Sequence, residues 1–229
     1  MGTMEARRKG SVARGINFHG IGEPGRALDP GEARYWVTVD VFHGILDAVV
    51  GRPDVRITFD DGNASDIEIG LPALLERNLV GSFFVVAGRI GSPGSLDADA
   101  VRELSRHGMT IGTHGMDHRP WRKLSPPERE RELIEARACI AEVVGRPVDE
   151  AAMPMGIYDR RLLADLKRLD YKVVHTTDRM PGTEGSWLQP RFSILADDTV
   201  ESVQGGALTD LPRLRRAWMA AKSSLKRLR

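Results

Sequence analysis

Val55-Arg56-Ile57-Thr58-Phe59-Asp60-Asp61-Gly62 is the stretch whose reading decides the fold. Five residues with a β-branched and aromatic bias predict a buried strand, and Asp60-Asp61-Gly62 the turn that leaves its C-terminal end. Two neighbouring carboxylates at a buried strand end repel each other unless something positive sits beside them. A metal ion held by one, with the other left free to accept a proton, meets that requirement. The competing reading is an acidic strand-to-helix turn in which Asp61 or Asn63 caps the next helix.

Working outward, strands and helices alternate. Upstream, Gly15 to Gly20 reads as a short first strand ending in a Gly- and Pro-rich loop, after a basic, polar leader over residues 1–14. Val41, Phe42, Ile45, Leu46 and Val49 have helical spacing and stop at Gly51-Arg52-Pro53. Downstream, Ile67, Leu71, Leu74 and Leu75 mark a helix in which Pro72 signals a kink or a late start. Further strands are expected at Ser82–Ala87, Thr110–Thr113 and Lys172–Thr177. Asp97 caps one intervening helix, and Ser125-Pro126-Pro127-Glu128 opens another with a capping box. Cys139, in that second helix, reads as a small core or boundary residue. Repeated βα units with short connections predict a parallel sheet, open or closed into a barrel. Working residues in such folds gather at the C-terminal strand ends, where Asp60, Asp61, His114, His118, Pro154 and Asp178 all fall.

Composition narrows the function. The chain has 229 residues, enough for a sizeable core, and 33 Lys+Arg balance 32 Asp+Glu, so overall charge gives no argument for a nucleic-acid partner. A single cysteine excludes an intramolecular disulfide framework and a Cys-based zinc site. Neither a signal-peptide pattern nor a run of about 20 apolar residues is present, which predicts a cytoplasmic protein.

His114 and His118 are spaced i, i+4, so one helical turn would place both imidazoles on one face. With Asp61 they form a His-His-carboxylate set that leaves metal positions open for water and substrate. A metal so held lowers the pKa of its water and polarises a carbonyl oxygen, as hydrolysis of an amide or ester requires. Asp60, adjacent but not spent on the metal, is the natural general base.

Thr58-Phe59-Asp60-Asp61-Gly62 followed by His114-Gly115-Met116-Asp117-His118 resembles the polysaccharide deacetylase family, the NodB-homology or carbohydrate esterase family 4 enzymes, over about residues 15–195. The resemblance implies a distorted (β/α) barrel of about seven parallel strands, a divalent metal, often zinc (Zn2+), and removal of an acetyl group from a sugar. Carried over, Asp60 is the base, while Asp61, His114 and His118 bind the metal. Pro154-Met155-Gly156 matches the third motif, which gives the Met155 backbone N–H a place in the oxyanion hole. Asp178 resembles the acidic residue of the fourth.

Two departures stand out. Ala152 occupies the position of the arginine that commonly steadies the base, and Arg191 takes that part if this chain is similar to the exopolysaccharide-type deacetylases, which carry a later arginine. The late Leu-x-His histidine that acts as acid is also missing, the region reading Ile194-Leu195-Ala196-Asp197. His19, at the end of the first strand, is the preferred donor to the leaving amine, ahead of His175 or a water. Trp36, Trp121 and Trp187 are candidates for stacking on sugar rings, with core or lid packing as the plain alternative.

Residues 206–229 form a separate element. From Leu211 to Arg229 there are seven Lys/Arg and no Asp/Glu, with Leu211, Leu214, Trp218, Ala221, Leu225 and Leu228 at helical spacing. Such a basic amphipathic helix suits peripheral contact with an anionic membrane, or packing on the barrel or a second subunit. The expected activity is a metal-dependent carbohydrate de-N-acetylase acting on an intracellular glycan precursor or small glycoside. The alternatives are a degenerate glycan- or metal-binding relative and a cyclic-amide hydrolase of the same superfamily.

Overall fold

Alternating inward and outward residues along a short run of strands dictate what the chain builds. The computed structural model describes residues 10–210. Its strands are β1 (Val12–Phe18), β2 (Gly20–Ile21), β3 (Trp36–Val37), β4 (Val55–Asp61), β5 (Gly81–Val85), β6 (Thr110–Thr113), β7 (Glu150–Ala152), β8 (Val173–Thr176), β9 (Gly182–Thr183) and β10 (Leu188–Ser193). Among the described residues, β1, β4, β5, β6, β7, β8 and β10 lie side by side in that order, all parallel, and β10 returns to pair with β1. The expected barrel is therefore closed, and β9 runs antiparallel along β1.

Helices cover the outside. They are α1 (Val39–Val49), α2 (Leu71–Glu76), α3 (Ala98–Arg106), α4 (Pro126–Glu130), α5 (Ala136–Val144), α6 (Arg160–Arg168) and α7 (Val200–Gly205). Thr38, Asp97 and Asp159 cap α1, α3 and α6 by accepting a backbone N–H from the first turn. Pro72 sits in the first turn of α2, which continues through Gly70 and Leu71, both helical, from a π-helical turn at Asp66–Gly70. The helical run starts ahead of the proline, which falls at an irregularity inside it and not at a late start. A second π-helical turn, Arg131–Glu135, joins α4 to α5.

Outward residues of β1, β4 and β5 meet α1 and α2 in the main core, where the Phe59 and Phe83 rings stack 4.4 Å apart. Phe18 lies 5.6 Å from Phe59, and Phe42 meets Phe18 edge-on at 5.0 Å. The inward face differs in carrying a buried polar set, Asn17, Thr58, Asp60 and Arg191, with the Phe84 ring beside it. This split is what β-alternation does when one face is packed and the other is functional.

Several expectations need correction. β1 begins at Val12, three residues before the predicted Gly15, because Arg14 is buried against Asp54 at 2.5 Å and Asp210. Cys139 lies on the exposed face of α5. Trp121 is core, 2% exposed, with its indole N–H donated to Glu132, and Trp36 is buried in β3. Trp187 is half-buried and donates its N–H to the Tyr171 carbonyl. Residues 206–210 form a turn after α7, and the predicted basic helix over 211–229 lies outside the described residues. No helix among the described residues is long and apolar enough to cross a membrane.

Phe59→Ala should destabilise the fold by about 3–5 kcal/mol, because it opens a cavity at the centre of this cluster. Urea unfolding monitored by circular dichroism measures it, and a loss of under about 1 kcal/mol would contradict the packing described.

Candidate active site

The strand alternation sorts the two carboxylates. Asp60 continues the inward series of β4 and enters the barrel, where Arg191 meets it with both terminal nitrogens at 2.8 Å. Asn17 Nδ2 donates to Asp60 Oδ2 at 2.9 Å, and Asn17 Oδ1 in turn accepts from Arg191 Nη1 at 2.8 Å and Thr58 Oγ1 at 2.7 Å. Burial pushes the Asp60 carboxyl up, but the Arg191 charge overcomes that and holds it well below the usual range. Gly15 makes the arginine possible: it pairs with Arg191 across β1 and β10, and a Cβ there would stand 2.7 Å from Arg191 Cγ.

Asp61 leaves the alternation. It adopts a left-handed φ of 78°, a conformation that costs about 1–3 kcal/mol in a non-glycine residue. Its Oδ1 lies 3.5 Å from His114 Nε2 and 3.2 Å from His118 Nε2. His114 follows β6, and its Nδ1 donates to the Ala152 carbonyl at 2.8 Å; a carbonyl only accepts, so the proton is on Nδ1 and Nε2 carries a lone pair. Burial pushes the His114 pKa down to about 4, so the ring is neutral at pH 7. A lone pair therefore faces the buried Asp61 Oδ1, which has no hydrogen-bond partner. Both atoms lack a proton to share, and a cation among them removes the conflict. The donor atoms of Asp61, His114 and His118 all lie within 4.8 Å of one another, and two imidazoles with one carboxylate suit zinc.

The i, i+4 spacing works by a route other than the helical turn expected. Residues 114–118 form a loop with left-handed conformations at Gly115 (φ 85°) and His118 (φ 51°), and that loop brings the rings to 5.2 Å.

The remaining predicted residues surround this centre. His19, between β1 and β2, stacks on Tyr35 at 4.5 Å, and its Nδ1 has no hydrogen-bond partner. Met155 takes φ 57° between Pro154 and Gly156, three residues beyond the carbonyl that holds His114, with its side chain 58% exposed. Asp178 Oδ2 accepts from Tyr158 Oη at 2.6 Å and Thr176 Oγ1 at 3.0 Å, so it ties the loop after β7 to the end of β8. His175 points elsewhere: it bonds Glu150 at 3.1 Å and lines a cavity of about 710 Å³ at the N-terminal end of the barrel, opposite Asp61, His114 and His118.

Sequence reasoning missed Asn17, Asn63 and Arg26. Asn63 Nδ2 donates to the His19 carbonyl at 3.1 Å, and Arg26 donates to Asn63 Oδ1 at 2.9 Å while pairing with Glu32. For Asn17 the available signal was its place two residues after Gly15, on the same inward face; Arg26 carries none. Asp66 is a further buried carboxyl, pushed well above the usual range by burial and then by Asp61 and Asp60.

The family described as polysaccharide deacetylase matches residues 48–174, more than half of the chain, and the chain belongs to it. A chitooligosaccharide deacetylase of Rhizobium leguminosarum bv. phaseoli is 26% identical over 169 residues, covering 72% of this chain and 70% of the relative. The relative YxkH of Bacillus subtilis, a polysaccharide deacetylase by name, is 24% identical over 124 residues, 54% of this chain but only 44% of its own length. In fold, the Streptococcus pyogenes deacetylase PplD, solved with acetate, superposes with a TM-score of 0.73 at 20% identity, covering 86% of this chain and 99% of that one.

Arg191→Met leaves Asp60 as a buried, unpaired charge and should cost about 3–5 kcal/mol in the urea midpoint at pH 7; a cost under about 1 kcal/mol would contradict the pairing. His175 supplies a pH test. Burial lowers its pKa in the fold, against the Glu150 hydrogen bond, so stability is full above the unfolded value of about 6.5 and falls as pH drops through the folded value. His114, with its pKa pushed down to about 4, contributes to the loss in the same window. His175→Gln should therefore reduce the loss of stability between pH 7 and pH 5 without abolishing it, and an unchanged slope would remove His175 from the account.

Proposed function

We propose that this protein is a metal-dependent hydrolase that removes the acetyl group from an N-acetylated sugar, in an oligosaccharide or glycan precursor. The observation that carries the reading is the division of labour between adjacent carboxylates: Asp61 faces two histidines, while Asp60 is held apart by Arg191. A metal-binding protein with no chemistry to perform has no use for the second, separately anchored charge. The Rhizobium relative, by its name, supports a chitooligosaccharide-like substrate.

Asp61, His114 and His118 would hold the divalent ion, with zinc expected, and it supplies acidity to water and polarises the acyl oxygen. Asp60 takes the proton as water attacks the acyl carbon. The ion pair keeps Asp60 ionised and also weakens it as a base, so the reaction needs a water already made acidic. Arg191 and Asn17 fix the carboxylate's direction. The Met155 N–H stabilises the developing oxyanion, and the left-handed backbone at Met155 is the kind of local distortion found at such sites. As the C–N bond breaks, His19 gives a proton to the leaving amine; its partnerless Nδ1 supports that assignment. Asp178 positions the Met155 loop through Tyr158.

Acetate release from N-acetylated chito-oligomers and glycosides by zinc-loaded protein tests the reading. Asp60→Asn should lose about 10²–10⁴-fold in kcat while retaining the metal. Asp61→Asn should lose the metal itself. Full turnover by Asp60→Asn would remove Asp60 from the chemistry. Bound zinc without turnover on any substrate of the panel would turn the reading toward a binding protein.

A further inference from the structure

Glu132 belongs to none of the groups assigned above, yet it is fully buried against the loop that joins the two histidines. Its Oε2 accepts the backbone N–H of Met116 at 2.9 Å and the indole N–H of Trp121 at 3.3 Å, and its Oε1 accepts the N–H of Asp117 at 3.2 Å. From the other side, the carbonyls of Gly115 and Met116 accept the N–H groups of Ala87 at 2.9 Å and Gly88 at 3.0 Å. The segment between His114 and His118 is thus bonded through both its donors and its acceptors.

Two local features make the approach possible. Gly115 has φ 85°, and a Cβ there would lie 2.3 Å from Glu132 Oε2 and 2.8 Å from Trp121 Nε1, so only glycine admits the carboxylate. Glu132 itself lies in the π-helical turn Arg131–Glu135, an irregularity frequent at functional sites. Next to it, Arg131 holds the Asp117 carboxylate from the solvent side with two contacts of 2.8 Å.

We propose that Glu132 is a positioning residue for the metal centre: its carboxylate fixes the 115–117 backbone and thereby the placement of His118 relative to His114 and Asp61. This rests on the metal-binding reading given above. A purely structural role would lower stability and leave the affinity of the folded protein for metal unchanged. Groups that orient the ligands of a metal change its affinity about 10–100-fold.

The test is the zinc dissociation constant, measured by competition with a chromophoric chelator, beside the thermal midpoint of each metal-free protein. Wild type is compared with Glu132→Gln and with Glu128→Gln. Glu128 closes the capping box at the start of the same helical run, through Ser125 N at 2.8 Å, and pairs with Arg119 at 2.8 Å. It bonds none of the 115–117 backbone, so it controls for loss of a nearby carboxylate without loss of those bonds. Glu132→Gln should bind zinc about 10–100-fold more weakly, and Glu128→Gln should match wild type. Folded Glu132→Gln binding within a factor of about two of wild type would overturn the proposal, as would an equal loss in Glu128→Gln. Should Glu132→Gln fail to fold, Arg131→Ala and Trp121→Phe decide: weaker zinc binding in both supports the proposal, and wild-type affinity in either overturns it. A wild type that binds no zinc overturns the metal reading and this inference together, whereas zinc-binding wild type with equal Glu132→Gln overturns the inference alone.

Discussion

The ion pair between Asp60 and Arg191 is the constraint from which the rest of the barrel interior follows. Both groups are almost wholly removed from water, at 1% and 0% exposure, and taking two charges out of water costs several kcal/mol per ion unless geometry and further hydrogen bonds repay it. Here repayment is extensive. The guanidinium binds both carboxylate oxygens, Asn17 completes the carboxylate, and Thr58 completes Asn17. Gly15 gives up its side chain to make room, and the Phe84 ring lies 5.3 Å from the guanidinium carbon. An apolar filling of the same volume would be as stable or more so. A barrel that keeps this pair instead points to use rather than stability as its reason.

With Asp60 committed to Arg191, Asp61 has to find its compensating charge elsewhere. The left-handed φ at Asp61 sends it toward His114 and His118, and the Ala152 carbonyl fixes the tautomer that leaves His114 Nε2 unprotonated. The outcome is a cluster of lone pairs that protein atoms alone leave unsatisfied. Three of the seven non-glycine residues with positive φ among the described residues, Asp61, His118 and Met155, lie around it, beside Gly115 and Gly156. The strain sits at the C-terminal mouth of the barrel, while the regular helices and the Phe59 cluster supply the scaffold.

Much of this was legible in the sequence because the informative signals were local. Strand bias before Asp60, the capping box at Ser125 and the helical spacing after Val39 each reflect forces acting within a few residues. Each element formed there, although the strand continues through Asp60 and Asp61, where the turn was expected. The two acidic residues and the paired histidines located the centre for the same reason. What the sequence hid was set by partners far along the chain. Arg191 reaches Asp60 across 131 residues, and only the β1–β10 closure brings them together. Resemblance, rather than periodicity, pointed to that arginine. Glu132 and Asn17 read as an ordinary helix glutamate and a strand asparagine. The conformation of the 114–118 loop escaped because i, i+4 spacing is satisfied equally by a helical turn and by a loop with two left-handed residues. Residue spacing fixes neighbours along the chain and leaves the backbone path between them open.

The central claim is that adjacent Asp60 and Asp61 serve different partners. Anomalous diffraction from crystals of zinc-loaded protein tests it most directly. The account predicts one ion bound by Asp61, His114 and His118 at about 2.0–2.2 Å, with Asp60 still paired to Arg191 and outside the coordination shell. An ion coordinated by Asp60, or zinc bound away from the two histidines, would contradict it.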